Sequence, residues 1–494
     1  MSLMRRIVLL LIPALTCGAW AENLTILNEA GLPIAGAQIL LGYEDGNPFA
    51  GNVIESSASG IAEIPSEWKA ALPVTVQAPG YVTTTRPVLM PGAHEIVMAK
   101  TESQGQIEVK GTTTGYGRLV TDGKVDFGLV IPAMTRQSML SFDIASVISP
   151  QNDIIEIIGR EIAIPSNIAL PQQIENYFFS IEFNKPDYRF YVREPGTYQV
   201  GAVHGQFPLQ RVVDDIRAGK SMFEVINHFS FKETGLMSVD VQHDVSGANM
   251  AVNHQRFNDN VSIRSPRFPN NQVMVGISLA ETAGGYLPTD LKRFTPNQTM
   301  NLKSSRAVGA GHVLSVLMND NSASTTSAQN RILDILNPLV ALLPSPQTEV
   351  LPNDAAQDFS QLSFALLPVA STVTPTFLPM VGKPRLSGQL LTLDVPAISG
   401  DLAPAAAYMV FAEIEQLGTG KVKNERRTRL WEVWSPGWTT QVELPKINFP
   451  RRSDRQYRWE VMFLARPSHF VSSTPADRVD LSTVTHVTRN ALDL

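Results

Sequence analysis

The 494-residue chain is nearly free of cysteine. Its one cysteine, Cys17, lies in an apolar N-terminal stretch. If that stretch is removed, the mature protein has no disulfide and no thiolate chemistry, so packing alone must hold it together. This favours a bacterial periplasm or cell surface over a eukaryotic extracellular setting, where secreted proteins are commonly cross-linked.

An excess of basic charge is also missing. The chain has 40 Lys and Arg against 46 Asp and Glu, a net charge of −6. Loss of residues 1–21 would remove two arginines and no acid, which makes the mature net charge −8. Nucleic acids and anionic membranes are bound through clustered basic charge. The composition therefore argues against nucleic acid as a partner.

The motifs of common enzyme classes are absent from the sequence. It contains no H-E-x-x-H, no Cys/His metal set and no G-x-S-x-G elbow. Gly115-Tyr116-Gly117 follows no convincing strand and opens no helix, so it does not indicate a dinucleotide site. We therefore predict no cofactor, and a binding or structural role is favoured over catalysis.

The first residues have the layout of a secretory signal peptide. Arg5 and Arg6 precede an apolar run over residues 7–15, and small residues Ala19 and Ala21 flank Trp20. This pattern predicts cleavage after Ala21. The run is too short to span a bilayer, which needs about 20 apolar residues. We expect secretion across the inner membrane to the periplasm, outer surface or exterior, with no transmembrane span in the mature chain.

A lipoprotein anchored through Cys17 is the alternative to cleavage. That anchor requires an aliphatic residue three positions before the cysteine and small residues next to it. Ala14, Leu15 and Thr16 occupy those positions and fit poorly. Cleaved secretion is therefore the favoured interpretation.

Short alternating apolar segments separated by turn residues predict a mainly β protein. The 34 prolines and 33 glycines support many strands joined by turns. We predict tandem β-sandwich (Ig-like or transthyretin-like) modules with a few short helices in the central region. The predicted layout is a signal peptide at 1–21, a β-sandwich at 22–102, a central β-rich domain at 103–345, a Pro-rich linker at 346–358 and a second β-sandwich at 359–494.

Three motifs occur in order in the first predicted module. They are Gly31 to Ile39, Ser59 to Pro65 and Val76 to Tyr81. Together they resemble carboxypeptidase-regulatory-like (transthyretin-like) β-sandwich modules. The resemblance covers about one sixth of the chain. It implies a seven-stranded sandwich that usually has no catalytic role of its own.

The central region mixes strand and helix patterns. Alternation over 177–183 and 273–279 predicts two strands. Apolar residues at helical spacing predict helices within Leu209 to Phe229 and within Ile332 to Val340, the second shortened by Pro338.

The C-terminal region contains five predicted strands, at 390–395, 408–414, 429–434, 440–444 and 457–464. Their layout loosely resembles a fibronectin type III module, which implies an Ig-like sandwich.

Two groups of residues are candidate ligand contacts. Trp431, Trp434 and Trp438 provide indoles on which sugar rings stack when exposed. The alternative is that they fill a sandwich core. Arg426 and Arg427 belong to a basic run in an acidic chain, which predicts either a positive patch or a solvated face. A site of this kind would bind envelope polysaccharide or another envelope protein.

A secreted hydrolase with accessory β-sandwich modules is the alternative function. Its site would lie around His243 and His254, which share a polar stretch with Asp240, Asp244 and Asp259. Oxygen-rich turns at 258–260 and 319–321 are candidate calcium ligands, with an ordinary Asx turn as the alternative.

Overall fold

The computed structural model describes residues 23–44, 53–101, 107–116, 123–136, 139, 152–157, 160–176, 179–192, 195–208, 210–211, 214–215, 225–319, 361–398, 400–417, 424–470 and 480–494. The predicted signal peptide with Cys17 and Ala21, the predicted helix at 332–340 and the predicted linker at 346–358 lie outside these ranges. In the part described, the protein is mainly β, as predicted. The helical pieces there are short and include 3-10 helices at Ile226–His228 and Leu481–Thr483. None of the described helices is long and apolar enough to span a membrane.

The N-terminal sandwich consists of seven strands packed as two sheets. Alternation explains its first strand, where Leu24 and Ile26 are buried between more exposed neighbours. Sheet β4-β1-β7 faces sheet β6-β5-β2-β3 across a core that contains Trp68. The strands are β1 (Asn23–Asn28), β2 (Gln38–Leu41), β3 (Ile54–Glu55), β4 (Ile61–Glu63), β5 (Leu72–Gln77), β6 (Thr83–Leu89) and β7 (His94–Met98).

The second of the three motifs contains a glycine that its turn requires. Gly60 has a φ of +74°, and a Cβ at this position would lie 2.6 Å from the carbonyl oxygen of Ile26. Any other residue would be strained in conformation and would collide with β1. The turn before β4 therefore depends on this glycine.

The central sandwich follows directly. Sheet β13-β12-β9-β15-β16-β18 packs over sheet β14-β8-β17, and Tyr188 and Phe190 lie in the core between them. Strands β10 and β11 form a separate hairpin. The strands are β8 (Ile107–Thr114), β9 (Lys124–Pro132), β10 (Asn152–Ile157), β11 (Arg160–Pro165), β12 (Ile168–Asn176), β13 (Phe179–Lys185), β14 (Asp187–Val192), β15 (Gly196–Pro208), β16 (Ser230–Val241), β17 (Met250–Ala251) and β18 (Gln255–Arg256).

The strand predicted at 177–183 belongs to a hairpin. β12 ends at Asn176 and β13 begins at Phe179, with Asn176 paired to Phe179. The apolar residues are at even positions in β12 and at odd positions in β13, and this shift is the only sign of the reversal in the pattern. The described residues of the helix predicted over 209–229 are helical at 210–211, 214–215 and 225, followed by the 3-10 helix.

A third sandwich pairs strands on both sides of residue 358. Sheet β22-β19-β25 packs against β21-β20-β23-β24 around Phe294 and Ile263. The strand predicted at 273–279 lies within β20. The strands are β19 (Asp259–Arg264), β20 (Gln272–Thr282), β21 (Gly285–Phe294), β22 (Thr299–Ser304), β23 (Ala310–Asn319), β24 (Leu362–Pro368) and β25 (Thr372–Val373).

The C-terminal sandwich places sheet β26-β27-β30 over β29-β28-β31-β32. Its core is aromatic and contains Phe411, Trp431 and Trp459. The strands are β26 (Arg385–Ser387), β27 (Leu390–Thr392), β28 (Leu402–Leu417), β29 (Asn424–Pro436), β30 (Gln441–Glu443), β31 (Gln456–Pro467) and β32 (His486–Asp493).

One long sheet connects the N-terminal, third and C-terminal sandwiches. Its twelve strands run in the order β21-β20-β23-β24-β32-β31-β28-β29-β6-β5-β2-β3. Along β28 both faces are buried: Tyr408 and Val410 face one apolar cluster, while Met409 and Phe411 face another. This is why β28 has a nearly continuous apolar run. The domain boundaries predicted at residues 102, 345 and 358 fall outside the described ranges and stay predictions.

Candidate functional site at strand β29

Strand β29 carries four of the five predicted ligand contacts, and Trp438 follows its end. Trp431 is 5% exposed and packs in the C-terminal core. Its indole Nε1–H donates to Thr85 Oγ1 of the N-terminal sandwich at 2.8 Å. The ring is therefore part of a junction between two sandwiches and presents no open face to a sugar.

Trp434 is half-buried on the opposite face of the strand. It stacks on Tyr408 with ring centroids 3.9 Å apart and donates from Nε1 to Glu432 Oε2 at 3.2 Å. The guanidinium of Arg86, from β6, lies 5.9 Å from its ring centroid. This cation–π contact ties the N-terminal sandwich to β29 a second time.

Trp438 lies after the turn that ends β29. Its Nε1–H donates to the carbonyl oxygen of Leu464 at 2.9 Å, and its ring meets Phe463 edge to face. The contact is within the C-terminal sandwich. The structure thus places all three indoles in internal contacts, the alternative that the sequence left open; ligand binding by them stays a prediction.

Arg426 and Arg427 pair with carboxylates of other strands, β28 and β31, on opposite faces of the sheet. Arg426 contacts Glu415. Arg427 grips Glu460 with two nitrogens, Nη2 at 2.7 Å and Nε at 3.0 Å. Such bidentate pairs are strong and directional. The predicted positive patch is therefore largely neutralised across the strands.

Glu460 is the centre of a buried charge network. Burial raises the pKa of its carboxyl, but Arg427 and Arg489 outweigh this effect and lower the pKa to about 2. Arg489 Nη2 lies 3.7 Å from Glu460 Oε1. The group is ionised at neutral pH and holds β29, β31 and β32 together.

A second network lies beside the junction. Glu432 accepts from Arg429 Nη1 at 2.6 Å and from the Tyr408 hydroxyl at 2.8 Å. Burial raises the pKa of Tyr408 well above its usual value, and the Glu432 charge adds to this. The hydroxyl therefore stays a donor, and the carboxylate is fixed in place.

Main-chain pairing completes this junction, called here the β29 junction. Strand β6 runs parallel to β29, with Thr83, Thr84 and Thr85 opposite Trp431, Glu432 and Val433. Thr85 also bonds Thr75 at 2.7 Å, hydroxyl to hydroxyl. At the rim, the Lys446 N–H donates to the Tyr43 carbonyl at 2.8 Å, and Lys446 pairs with Glu44.

Strand β21, at one edge of the long sheet, is covered by the central sandwich. Met134 and Tyr286 exchange two main-chain hydrogen bonds, of 2.9 and 2.8 Å. The Asn227 amide accepts from the Arg293 N–H at 2.7 Å and donates to its carbonyl at 3.1 Å, as a strand residue would. We call this the β21 junction.

A buried cluster around His204 in the central sandwich was not predicted from the sequence. Its Nδ1 lies 3.0 Å from Glu233 and its Nε2 3.0 Å from Asp126, and Tyr116 packs against the ring. The three residues share the inner face of neighbouring strands β9, β15 and β16. Their strand register could have suggested the meeting only if the pairing of those strands had been known.

The residues proposed for a hydrolase do not converge. His243 and His254 are exposed. Asp244 accepts the Glu108 N–H, and Asp259 accepts the Arg306 N–H, both at 2.9 Å. Both carboxylates accept main-chain hydrogen bonds, and the structure does not bring the two histidines into a pocket.

The oxygen-rich turns proposed as calcium ligands also contain residues that form strands or internal hydrogen bonds. Asp259 and Asn260 begin β19, and Asn319 donates to Gln361 at 2.7 Å; residues 320–321 lie outside the described ranges. Within those ranges no three His, Cys, Asp or Glu side chains are grouped to hold a metal ion.

No family model matches the sequence, and no curated protein matches it. Among solved structures, the Bacillus anthracis TIE protein is 12% identical, with a TM-score of 0.16, over 60% of this chain and 44% of its own. The chain thus spans less than half of that protein's length. The streptococcal ancillary pilin is 11% identical (TM-score 0.14; 60% and 89% covered), and the minor pilin of Streptococcus agalactiae is 8% identical (TM-score 0.13; 47% and 96% covered). Similarity at these scores does not place the chain in a family.

Proposed function

We propose that this chain is a secreted, non-enzymatic structural or adhesive protein of the bacterial cell envelope. The observation that carries the proposal is the long sheet, which continues by hydrogen-bonded strand pairing from one sandwich into the next. Modules joined only by linkers move independently by default. Modules joined through paired strands transmit force along the hydrogen-bond ladder, which suits a protein that holds other components in place.

The charged residues at β29 support the same role. Glu460 is buried and bonded to arginines of β29 and β32, and Glu432 is buried and bonded to Arg429 of its own strand. Buried ion pairs of this kind make strand register specific, because removal of one partner leaves an unpaired charge. The polar cluster around Glu460 therefore holds the strands of this sheet together.

The N-terminal sandwich fits a carboxypeptidase-regulatory-like accessory module in this proposal. All three motifs contain glycines at positive φ, including Gly31, Gly60 and Gly80. Its seven strands enclose a core drawn from its own residues. An accessory module that docks on another sandwich supports a structural role for the chain rather than a catalytic one.

A two-part experiment tests the proposal. N-terminal sequencing of protein from fractionated cells should give Glu22 in the periplasmic, surface or culture-medium fraction. The purified mature chain should then sediment with isolated envelopes, or with extracted envelope polysaccharide, whereas the heat-unfolded chain serves as the control. Retention in the cytoplasm, or hydrolysis of envelope polymers by the purified chain, would contradict it.

A further inference from the structure

The β29 junction joins two parts of the chain that are far apart in sequence. Trp431 and Thr85, which it bonds together, are 346 residues apart. The N-terminal sandwich is covalently attached to the central sandwich, since only residues 99–106 lie between β7 and β8. Its docking on β29 is therefore a non-covalent contact with a module to which it is not directly linked.

The two sides of the junction are built as separable surfaces. The core of the N-terminal sandwich contains only residues between Leu24 and Met98, so this module does not borrow a core from its neighbour. The contact is short and polar: three register pairs, buried threonines and Arg86 over an indole. The core of the module is complete without this contact, so the same pairing can be made with β29 of its own chain or of another copy.

Separation would leave two complementary strand edges without partners. Among the described strands, β6 pairs on its other side with β5, and β29 pairs on its other side with β28. An open strand edge is a template for pairing with another chain. The best partner for a free β6 edge is a β29 edge, and the reverse, because the threonine, indole and ion-pair contacts of these two strands already match.

We infer that β29 is an assembly surface whose partner is the N-terminal sandwich of a second copy of this chain. Exchange of an identical element between copies makes no new kind of contact, which is why it is a low-cost route to assembly. Each copy would contribute its β6 to one neighbour and accept the β6 of another neighbour on its β29, so the two surfaces in contact differ. The contact is therefore heterologous and propagates from copy to copy unless a ring closes. This goes beyond the proposed envelope role and stands on the junction alone.

Engineered cysteines test the inference, because the only native cysteine is Cys17. Any preparation that retains residues 1–21 carries Cys17→Ser. Glu44→Cys and Lys446→Cys lie on opposite sides of the rim, where main-chain atoms of residues 43 and 446 are 2.8 Å apart. The two single variants are mixed at rising concentration, warmed briefly and treated with a short bismaleimide. A link between them forms only if the module of one copy sits on β29 of another.

The expected result is several-fold more cross-linked dimer than from Glu44→Cys mixed with Asn258→Cys, an exposed control position in the central part of the chain. The double variant Glu44→Cys/Lys446→Cys should cross-link within one chain at low concentration, which shows that both sites react. A double variant that cross-links while the mixture gives no dimer above control would overturn the inference, and so would a double variant that fails to cross-link. Neither result would alter envelope retention, so failure here is distinct from failure of the proposed function.

Discussion

The strands β29 and β21 each receive a neighbouring sandwich, but by different means. β29 is covered by a true strand, β6, through main-chain pairing at three consecutive positions. β21 is covered by one isolated bridge, Met134 to Tyr286, and by the side chain of Asn227. Main-chain hydrogen bonds between strands form with many different side chains, whereas the two bonds at β21 require the amide of Asn227. The β21 junction should therefore be the more sensitive to single substitutions.

Both junctions contain polar contacts, and at the β21 junction Met134 and Met139 also pack in one apolar cluster with Tyr286. At β21, Lys292 donates to the Phe229 carbonyl at 2.6 Å, and Arg136 donates to the Tyr286 hydroxyl at 3.1 Å. At β29, threonine hydroxyls and Arg86 surround the indoles. The N-terminal sandwich has its own core, whereas one apolar cluster joins the third and C-terminal sandwiches and includes Met134 and Met139. The event expected first on unfolding is therefore release of the N-terminal sandwich from β29.

The largest expected effect comes from Glu460→Gln, which should weaken the sheet on which both junctions depend. The substitution leaves Arg427 and Arg489 buried beside a neutral amide, and breaking a buried ion pair costs about 3–5 kcal/mol. Denaturant unfolding followed by hydrogen exchange in β29, β31 and β32 measures the loss. Asp493→Asn is the matched control, because the ion pair between Asp493 and Arg458 is at the surface. Such surface pairs contribute about 0–1 kcal/mol to the free energy of unfolding. Equal losses in the two variants would show that the buried network does not hold the sheet.

Acid should weaken the same sheet through His486, in the middle of the long sheet. Burial lowers the pKa of this imidazole to about 4, and its nitrogens lie 3.0 Å from Thr376 Oγ1 and 2.8 Å from Thr485 Oγ1. The unfolded chain takes up the proton first, near its usual pKa of 6.5. The stability present above pH 6.5 is therefore lost as the pH falls toward 4, by up to roughly 1.4 kcal/mol per pH unit.

Hydrogen exchange in β24 and β32 at pH 7 and pH 5 measures this dependence. His486→Gln should flatten it, whereas His254→Gln, at an exposed position, should leave it unchanged. An unaltered pH dependence in His486→Gln would assign the effect to another group.

Asn227→Ala should open the β21 junction selectively. It removes both hydrogen bonds to Arg293 and leaves that residue's N–H and carbonyl without these partners, at a cost of about 1–3 kcal/mol. Exchange should accelerate in 285–294 and stay unchanged in 83–89. Asn227→Asp keeps the acceptor and loses the donor, so it should fall between the wild type and the alanine variant. Faster exchange in both segments would mean that the junctions are not independent.

Much of the fold was predictable because short apolar runs bounded by turn residues mark strands, whether one face or both faces are buried. The strands predicted at 408–414 and 457–464 lie within β28 and β31, and the mainly β class is confirmed. The hairpin between Asn176 and Phe179 was missed, because it appears in the sequence only as a shift of the apolar residues from even positions in β12 to odd positions in β13.

The role of β29 was harder to predict from sequence. Trp431 and Arg427 stood out by residue type, but their partners Thr85 and Glu460 are ordinary residues on other strands. Long-range pairing of this kind leaves no local pattern. The same holds for His204, whose carboxylates come from two neighbouring strands.

The smallest expected effect, and the sharpest test of the comparison, comes from Thr85→Val at the β29 junction. Valine keeps the shape but removes the acceptor of the Trp431 indole and the partner of the buried Thr75 hydroxyl, at a cost of about 1–3 kcal/mol. The loss should be smaller than for Asn227→Ala, because main-chain pairing and the Arg86 contact remain. Exchange should accelerate in 83–89 alone, while Thr299→Val, at an exposed position on β22, changes neither segment. If Thr85→Val opened 285–294 to the same extent, the long sheet would respond as one cooperative unit, and the distinction between a strand-covered and a side-chain-covered edge would have no energetic meaning.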